Sequence, residues 1–178
     1  ARTLGLDETY LLGKAQRALV VTPASLKTEW EEQIRRFTPL PYQLVFGGRL
    51  RRLAAYAPAD PPFFTIVNYE QMLADGLEVN ARLKPDIVVL DEAQRIKNWS
   101  TKTTQAIKRL RSRYAFVLTG TPIENRIDEL HSLMDFLNPS VLGPLFRFNR
   151  EFYELDERGR PSGYRNLDQL HERIAPYM

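Results

Sequence analysis

Two adjacent carboxylates, Asp91 and Glu92, directly follow the apolar run Ile87-Val-Val-Leu90. The run is too short for a helix and rich in β-branched residues, so it reads as a strand buried on both faces. In parallel α/β sheets, ligands bind just beyond the carboxyl ends of the strands. That places the pair at a sheet edge where chemistry occurs. Metal–nucleotide hydrolysis uses two such groups. One carboxylate holds Mg²⁺, directly or through water, while the other orients and deprotonates the attacking water. The same two residues would also serve as a solvated cap on the following helix.

Five strand-like runs must position that pair: residues 18–22, 42–46, 63–67, 86–90 and 114–118. Between them lie helical patterns. Ser25 is the expected N-cap of a helix carrying the stripe Leu26, Trp30, Ile34 and Phe37, in which Trp30 reads as a core anchor. Gly47-Gly48 turns into a short basic helix with Arg49, Arg51 and Arg52, read as a solvated face. Asn68 caps a helix through Met72 and Leu73. Residues 101–110 and 127–137 give two more helices, and His131 is expected to face the surface of the second in a structural role. Asn138, Pro139, Gly143 and Pro144 break the pattern, and a last helix runs from about Leu167 to Ile174. Strands alternating with helices imply one α/β domain, a mainly parallel sheet with helices on both faces and a C-terminal helical appendage.

Composition narrows the classes. The chain of 178 residues has no cysteine, which excludes disulfides and thiolate metal sites, and two histidines, which argues against an all-protein zinc site. No apolar stretch approaches the ~18 residues of a membrane span, and no signal-peptide pattern is seen, so an intracellular location is the default expectation. The formal net charge of +3 points only weakly to nucleic acid.

Two further strand ends carry unusual residues: Thr22-Pro23, and the turn Thr119-Gly120-Thr121-Pro122. A doubly wound sheet gathers such ends along one edge, where small hydroxyls can meet phosphate oxygens and glycine admits a close backbone. With these in place, the sequence resembles the Swi/Snf family of helicase-like, DNA-dependent ATPases within helicase superfamily two. The resemblance rests on Ala18-Leu-Val-Val-Thr-Pro-Ala-Ser-Leu-Lys-Thr-Glu-Trp30 (motif Ia region), Ile66-Val-Asn-Tyr-Glu70 (motif Ib region), Val89-Leu-Asp-Glu-Ala-Gln-Arg-Ile-Lys-Asn98 (motif II, in its Asp-Glu-Ala-Gln form) and Leu118-Thr-Gly-Thr-Pro-Ile-Glu-Asn125 (motif III). Glu129-Leu-His-Ser-Leu-Met-Asp-Phe-Leu-Asn-Pro139 and His171-Glu-Arg-Ile-Ala-Pro176 extend it.

The resemblance implies the first RecA-like lobe of a two-lobed motor that uses ATP and Mg²⁺ to move on double-stranded DNA. It implies that Asp91 coordinates Mg²⁺, Glu92 activates water, and Gln94 senses the nucleotide. Thr119, Gly120 and Thr121 would couple hydrolysis to DNA contact. Thr22, Pro23, Ser25, Asn68, Tyr69, Glu70 and Lys97 would approach the DNA. Implied partners are duplex DNA, a second RecA-like lobe of the same protein, and RNA polymerase or another DNA-bound protein, with no membrane; the compartment would be cytoplasm with nucleoid, or nucleus. Residues 18–138 would form the lobe and 139–178 an extension leading to the second one. Residues 1–17 depart from the family. Where a phosphate-binding Gly-Leu-Gly-Lys-Thr loop belongs, the chain has Gly5-Leu6-Asp7-Glu8-Thr9. Gly5 and Thr9 remain as nucleotide-binding candidates, but Asp7 and Glu8 would repel phosphates. A non-hydrolysing DNA- or protein-binding module with a degenerate loop is therefore the alternative reading.

Overall fold

The computed structural model describes residues 13–96, 98, 101–120, 127–158 and 160–178. Among them, five parallel strands form one sheet: β1 (Ala18–Thr22), β2 (Tyr42–Leu44), β3 (Phe64–Asn68), β4 (Ile87–Leu90) and β5 (Tyr114–Val117), in the order β2-β3-β1-β4-β5. β1 is central and wholly buried, pairing Thr22 with Asn68 of β3 and Val21 with Leu90 of β4. The strand ends therefore lie level along one edge.

Alternation along the strands builds two core layers. Leu19, Val21, Val67, Val88 and Leu90 face one side, where Met72, Val79, Leu83, Ile107 and Leu133 cover them. Val20 and Ile66 face the other, against Ile34 and Trp30. Burying each such aliphatic side chain stabilises the fold by about 1.5–3 kcal/mol.

The helices arise where the pattern places them, with local differences. α1 (Lys27–Phe37) is entered through a 3-10 turn at Ala24–Leu26, closed by Leu26 N–H donating to the Pro23 carbonyl at 3.0 Å. That extra turn displaces Ser25 from the cap, and no side chain caps α1. Gly47, at φ +88°, makes the left-handed turn into α2 (Arg49–Ala55). α3 (Tyr69–Glu78) has the capping box expected of Asn68, with Gln71 reciprocating, and runs on into a π-helical turn at Val79–Leu83. α4 (Lys102–Lys108) is capped by Thr101.

α5 (Ile127–Leu137) serves two cores. Leu133 joins the sheet layer, while Ile127, Leu130 and Met134 enter a second cluster with Leu142, Phe148, Phe152, Leu170 and Ile174. That cluster is formed by α6 (Pro139–Leu142), α7 (Leu145–Phe152) and α8 (Leu167–Ile174). The appendage is not purely helical: β6 (Tyr153–Leu155) and β7 (Pro161–Tyr164) form an antiparallel hairpin between α7 and α8. His131 differs from its expected surface position. It is buried, with Nε2 against the Gly143 carbonyl at 2.9 Å and its ring 4.8 Å from Phe148, because the appendage covers that face of α5.

Candidate active site

The carboxyl end of β4 turns sharply. Glu92 has φ +51°, a left-handed conformation that an L-residue adopts at a cost of about 1–2 kcal/mol. The turn is pinned by neighbouring strands. Asp91 N–H donates to the Val21 carbonyl at 2.9 Å, and Ala93 N–H to the Leu118 carbonyl at 3.0 Å. A 3-10 turn, Ala93–Ile96, follows, and buried Ala93 and Ile96 tie it to the core.

This turn aims Asp91 back across β1. Its Oδ2 accepts from Thr22 Oγ1 at 3.0 Å and from Trp30 Nε1 at 2.8 Å, while Oδ1 accepts from Glu92 N–H at 2.9 Å. Tyr69 OH donates to the Asp91 carbonyl at 2.7 Å. Burial, and then the negative charge of Asp91, push the Tyr69 phenol well above its ordinary value, so it stays a donor. Glu92 faces the other way. Gln94 Nε2 donates to Glu92 Oε2, and Gln94 Oε1 accepts from Thr119 Oγ1 at 3.0 Å. A Cβ on Gly120 would stand 3.9 Å from Glu92 Oε1, so the end of β5 closes over this carboxylate.

The structure thus joins Thr22, Asp91, Glu92, Gln94, Thr119 and Gly120 into one edge cluster. It differs from expectation for three residues read as lying against DNA. Thr22 and Tyr69 are buried with their hydroxyls on Asp91, and Pro23 is buried beside them. Thr22 stands behind the carboxylate because β1 pairs directly with β4, and Tyr69 because it follows Asn68, which lies level with Thr22 on β3. Ser25 is exposed, and Asn68 is half-buried as a cap. Gly5, Thr9, Lys97 and Thr121 lie outside the described residues.

Two residues escaped the sequence reading. Trp30 is half-buried and donates to Asp91, which its place in a helical apolar stripe concealed. Arg95 leaves the turn to pair with Glu70 on α3 at 3.4 Å, both side chains being exposed. The Asp-Glu-Ala-Gln-Arg run held Arg95 as its signal.

The donor set suits a hard cation. Three of the four lone-pair positions of Asp91 are occupied, leaving one on Oδ1 for Mg²⁺ or a water of its shell. Among the described residues no cluster of three metal-ligating side chains occurs. Mg²⁺ takes one or two carboxylates and completes its shell with water and phosphate.

Comparison with known proteins identifies the family. The profile of the SNF2-related domain matches residues 6–178. A solved Sulfolobus solfataricus SWI2/SNF2 ATPase core in complex with dsDNA superimposes with a TM-score of 0.74 at 32% identity, covering 91% of this chain and 33% of that one. The DNA repair and recombination protein RAD54B of Gallus gallus is 31% identical over 161 residues, 90% of this chain and 18% of the relative. The TATA-binding protein-associated factor MOT1 of Saccharomyces cerevisiae is 30% identical over 175 residues, 93% of this chain and 9% of the relative. The chain therefore spans less than a fifth of either relative and a third of the solved ATPase core, and it belongs to the SNF2-related domain family.

Proposed function

We propose that this chain is the first RecA-like lobe of an ATP-dependent motor acting on duplex DNA, a helicase-like translocase that remodels or strips protein–DNA complexes. The observation that carries the proposal is the split arrangement of the two carboxylates. Asp91 is held by three donors and turned towards β1, while Glu92 is turned towards Gln94 and Thr119. Opposed environments suit opposed roles. Asp91 would hold Mg²⁺, which when bound would supply charge neutralisation for the phosphate. Glu92 accepts the proton of the attacking water. Gln94 fixes the Glu92 carboxylate and, through Thr119, links it to Gly120, from which the state of the site is passed to the DNA.

Ser25, Asn68 and Lys97 are the residues left to approach the phosphate backbone, which a translocase reads without regard to base sequence. Residues 18–138 form the lobe, and 139–178 lead to the second lobe, which completes the site. The names of the relatives, a DNA repair and recombination protein and a TATA-binding protein-associated factor, support a nucleoid or nuclear setting and a DNA-bound protein as the remodelled partner, with RNA polymerase one candidate. The decisive experiment measures ATP hydrolysis by the full ATPase core containing this domain, with and without duplex DNA. DNA-stimulated hydrolysis that is lost in Glu92→Gln is expected; hydrolysis unaffected by Glu92→Gln would refute the assignment.

Asp7 and Glu8, in place of the glycine and lysine of a phosphate-binding loop, favour a second reading: a lobe that grips DNA or protein without turnover. Duplex binding by the full core with no ATP hydrolysis would select it.

A further inference from the structure

We propose that Trp30 is a positioning residue for the metal-holding carboxylate, setting the orientation of Asp91 from the helix that follows β1. The inference rests on the proposed Mg²⁺ role of Asp91. Indole N–H is a donor only, on a rigid ring with two side-chain torsions. Placed 2.8 Å from Asp91 Oδ2, it makes a charge-assisted hydrogen bond across 61 residues of sequence. Its body packs with Val20, Ile34 and Ile66, so the ring cannot swing away without disturbing that layer.

The second donor on the same oxygen, Thr22 Oγ1 at 3.0 Å, is a rotor on its own bond and defines the carboxylate plane less firmly. The two donors together hold Oδ2 inward and turn the open lone pair of Oδ1 outward. Without the indole N–H, the carboxylate can rotate, and a cation on Oδ1 loses its fixed ligand.

α1 also begins one 3-10 turn after Pro23, beside exposed Ser25. Trp30 thus connects the segment proposed to face DNA with the carboxylate proposed to hold metal.

The test uses Trp30→Phe in the full ATPase core, together with a variant carrying benzothienylalanine at position 30, which keeps the indole shape without the N–H. Mn²⁺ affinity in the presence of ATP is measured by electron paramagnetic resonance, and the Mg²⁺ midpoint of hydrolysis is measured alongside. Both variants are expected to weaken metal affinity about tenfold, with hydrolysis recovering at high Mg²⁺. On the wild-type fold, Asp91→Asn should shift the Trp30 indole N–H resonance. Unchanged metal affinity in the benzothienylalanine variant, or an indole resonance indifferent to Asp91→Asn, would overturn the proposal. A wild-type core that never hydrolyses ATP would instead remove the proposed function, leaving metal affinity and the indole resonance to decide the role of Trp30.

Discussion

Thr119 Oγ1 lies 3.0 Å from Gln94 Oε1, and Gln94 reaches on to Glu92, so the exits of β4 and β5 share one hydrogen-bonded line. An amide can serve both neighbours only in one orientation: its oxygen must accept from Thr119 while its nitrogen donates to Glu92. Thr119 therefore selects the orientation of Gln94. Thr119→Val keeps the shape and removes the donor. DNA-stimulated hydrolysis by the full ATPase core should fall about 10- to 100-fold, since a small misplacement of a catalytic group has effects of that size. ATP affinity should hold. A loss in affinity with an unchanged maximal rate would contradict the line.

Glu92→Gln removes the base while leaving an amide of similar shape at the same left-handed position. Replacing a general base lowers rates by about 10²- to 10⁴-fold. The variant should unfold at the same urea concentration as wild type, because Glu92 is only half-buried and its φ of +51° is no harder for Gln. Comparing urea midpoints with single-turnover rates separates the catalytic loss from instability.

Much of this site could be read from the chain. Four consecutive apolar residues before Asp91 placed the pair at a strand end, and β1 runs over the residues its pattern indicates. Tertiary placement was illegible. Trp30 and Ile34 recur at helical spacing, which reads as core whether or not the indole nitrogen meets a carboxylate from another strand. Tyr69 follows a capping asparagine, and nothing local tells whether its hydroxyl points to solvent or to the Asp91 carbonyl. In the appendage, Leu145, Phe148 and Phe152 form a helical stripe that Pro139, Gly143 and Pro144 obscured. Arg52 sat in a run of arginines, and only the approach of α2 to α3 reveals its partner.

That partner is Asp75, which is fully buried and takes two bonds from Arg52 and one at 2.9 Å from Tyr56 OH. Burial alone would raise the Asp75 carboxyl, but the bonds from Arg52 and Tyr56 outweigh it and hold it below the ordinary carboxylate value. Arg52→Met strands this charge and should destabilise the chain by about 3–5 kcal/mol, as other broken buried pairs do. The pH trend follows from the sign of the shift. A carboxyl lowered in the folded state contributes stability above its unfolded value of 3.8, and that stability fades as pH falls below it. The gap between wild type and Arg52→Met should therefore narrow under acid, measured by urea unfolding from pH 6 to about pH 3. A gap constant with pH would place the cost of Arg52→Met in packing alone.

Lys27 is shifted in the same direction for a different reason: burial disfavours its charged form. It is 2% exposed, and its amine donates to the Val45 carbonyl at 2.7 Å and to Gln71 Oε1 at 2.8 Å, with the Phe46 ring 4.6 Å away. Burial lowers it from 10.5 to about 8; Glu70 pulls it partly back up and Arg52 pushes it further down. Its acceptors keep other donors without it: Gln71 Nε2 reaches Val45 at 2.8 Å, and Asn68 N–H reaches Gln71 Oε1 at 3.0 Å. Lys27→Met should therefore strand no polar group and relieve a buried charge, stabilising the chain near pH 7 by roughly 1–3 kcal/mol. Between about pH 8 and 10.5 the folded protein has released a proton that the unfolded chain retains, so wild-type stability gains from rising pH in that window. The advantage of Lys27→Met should then shrink from pH 8 upward and vanish near 10.5. Urea midpoints of the two proteins across that range check it. A Lys27→Met protein less stable than wild type at pH 7 would mean that the amine's two hydrogen bonds outweigh its desolvation.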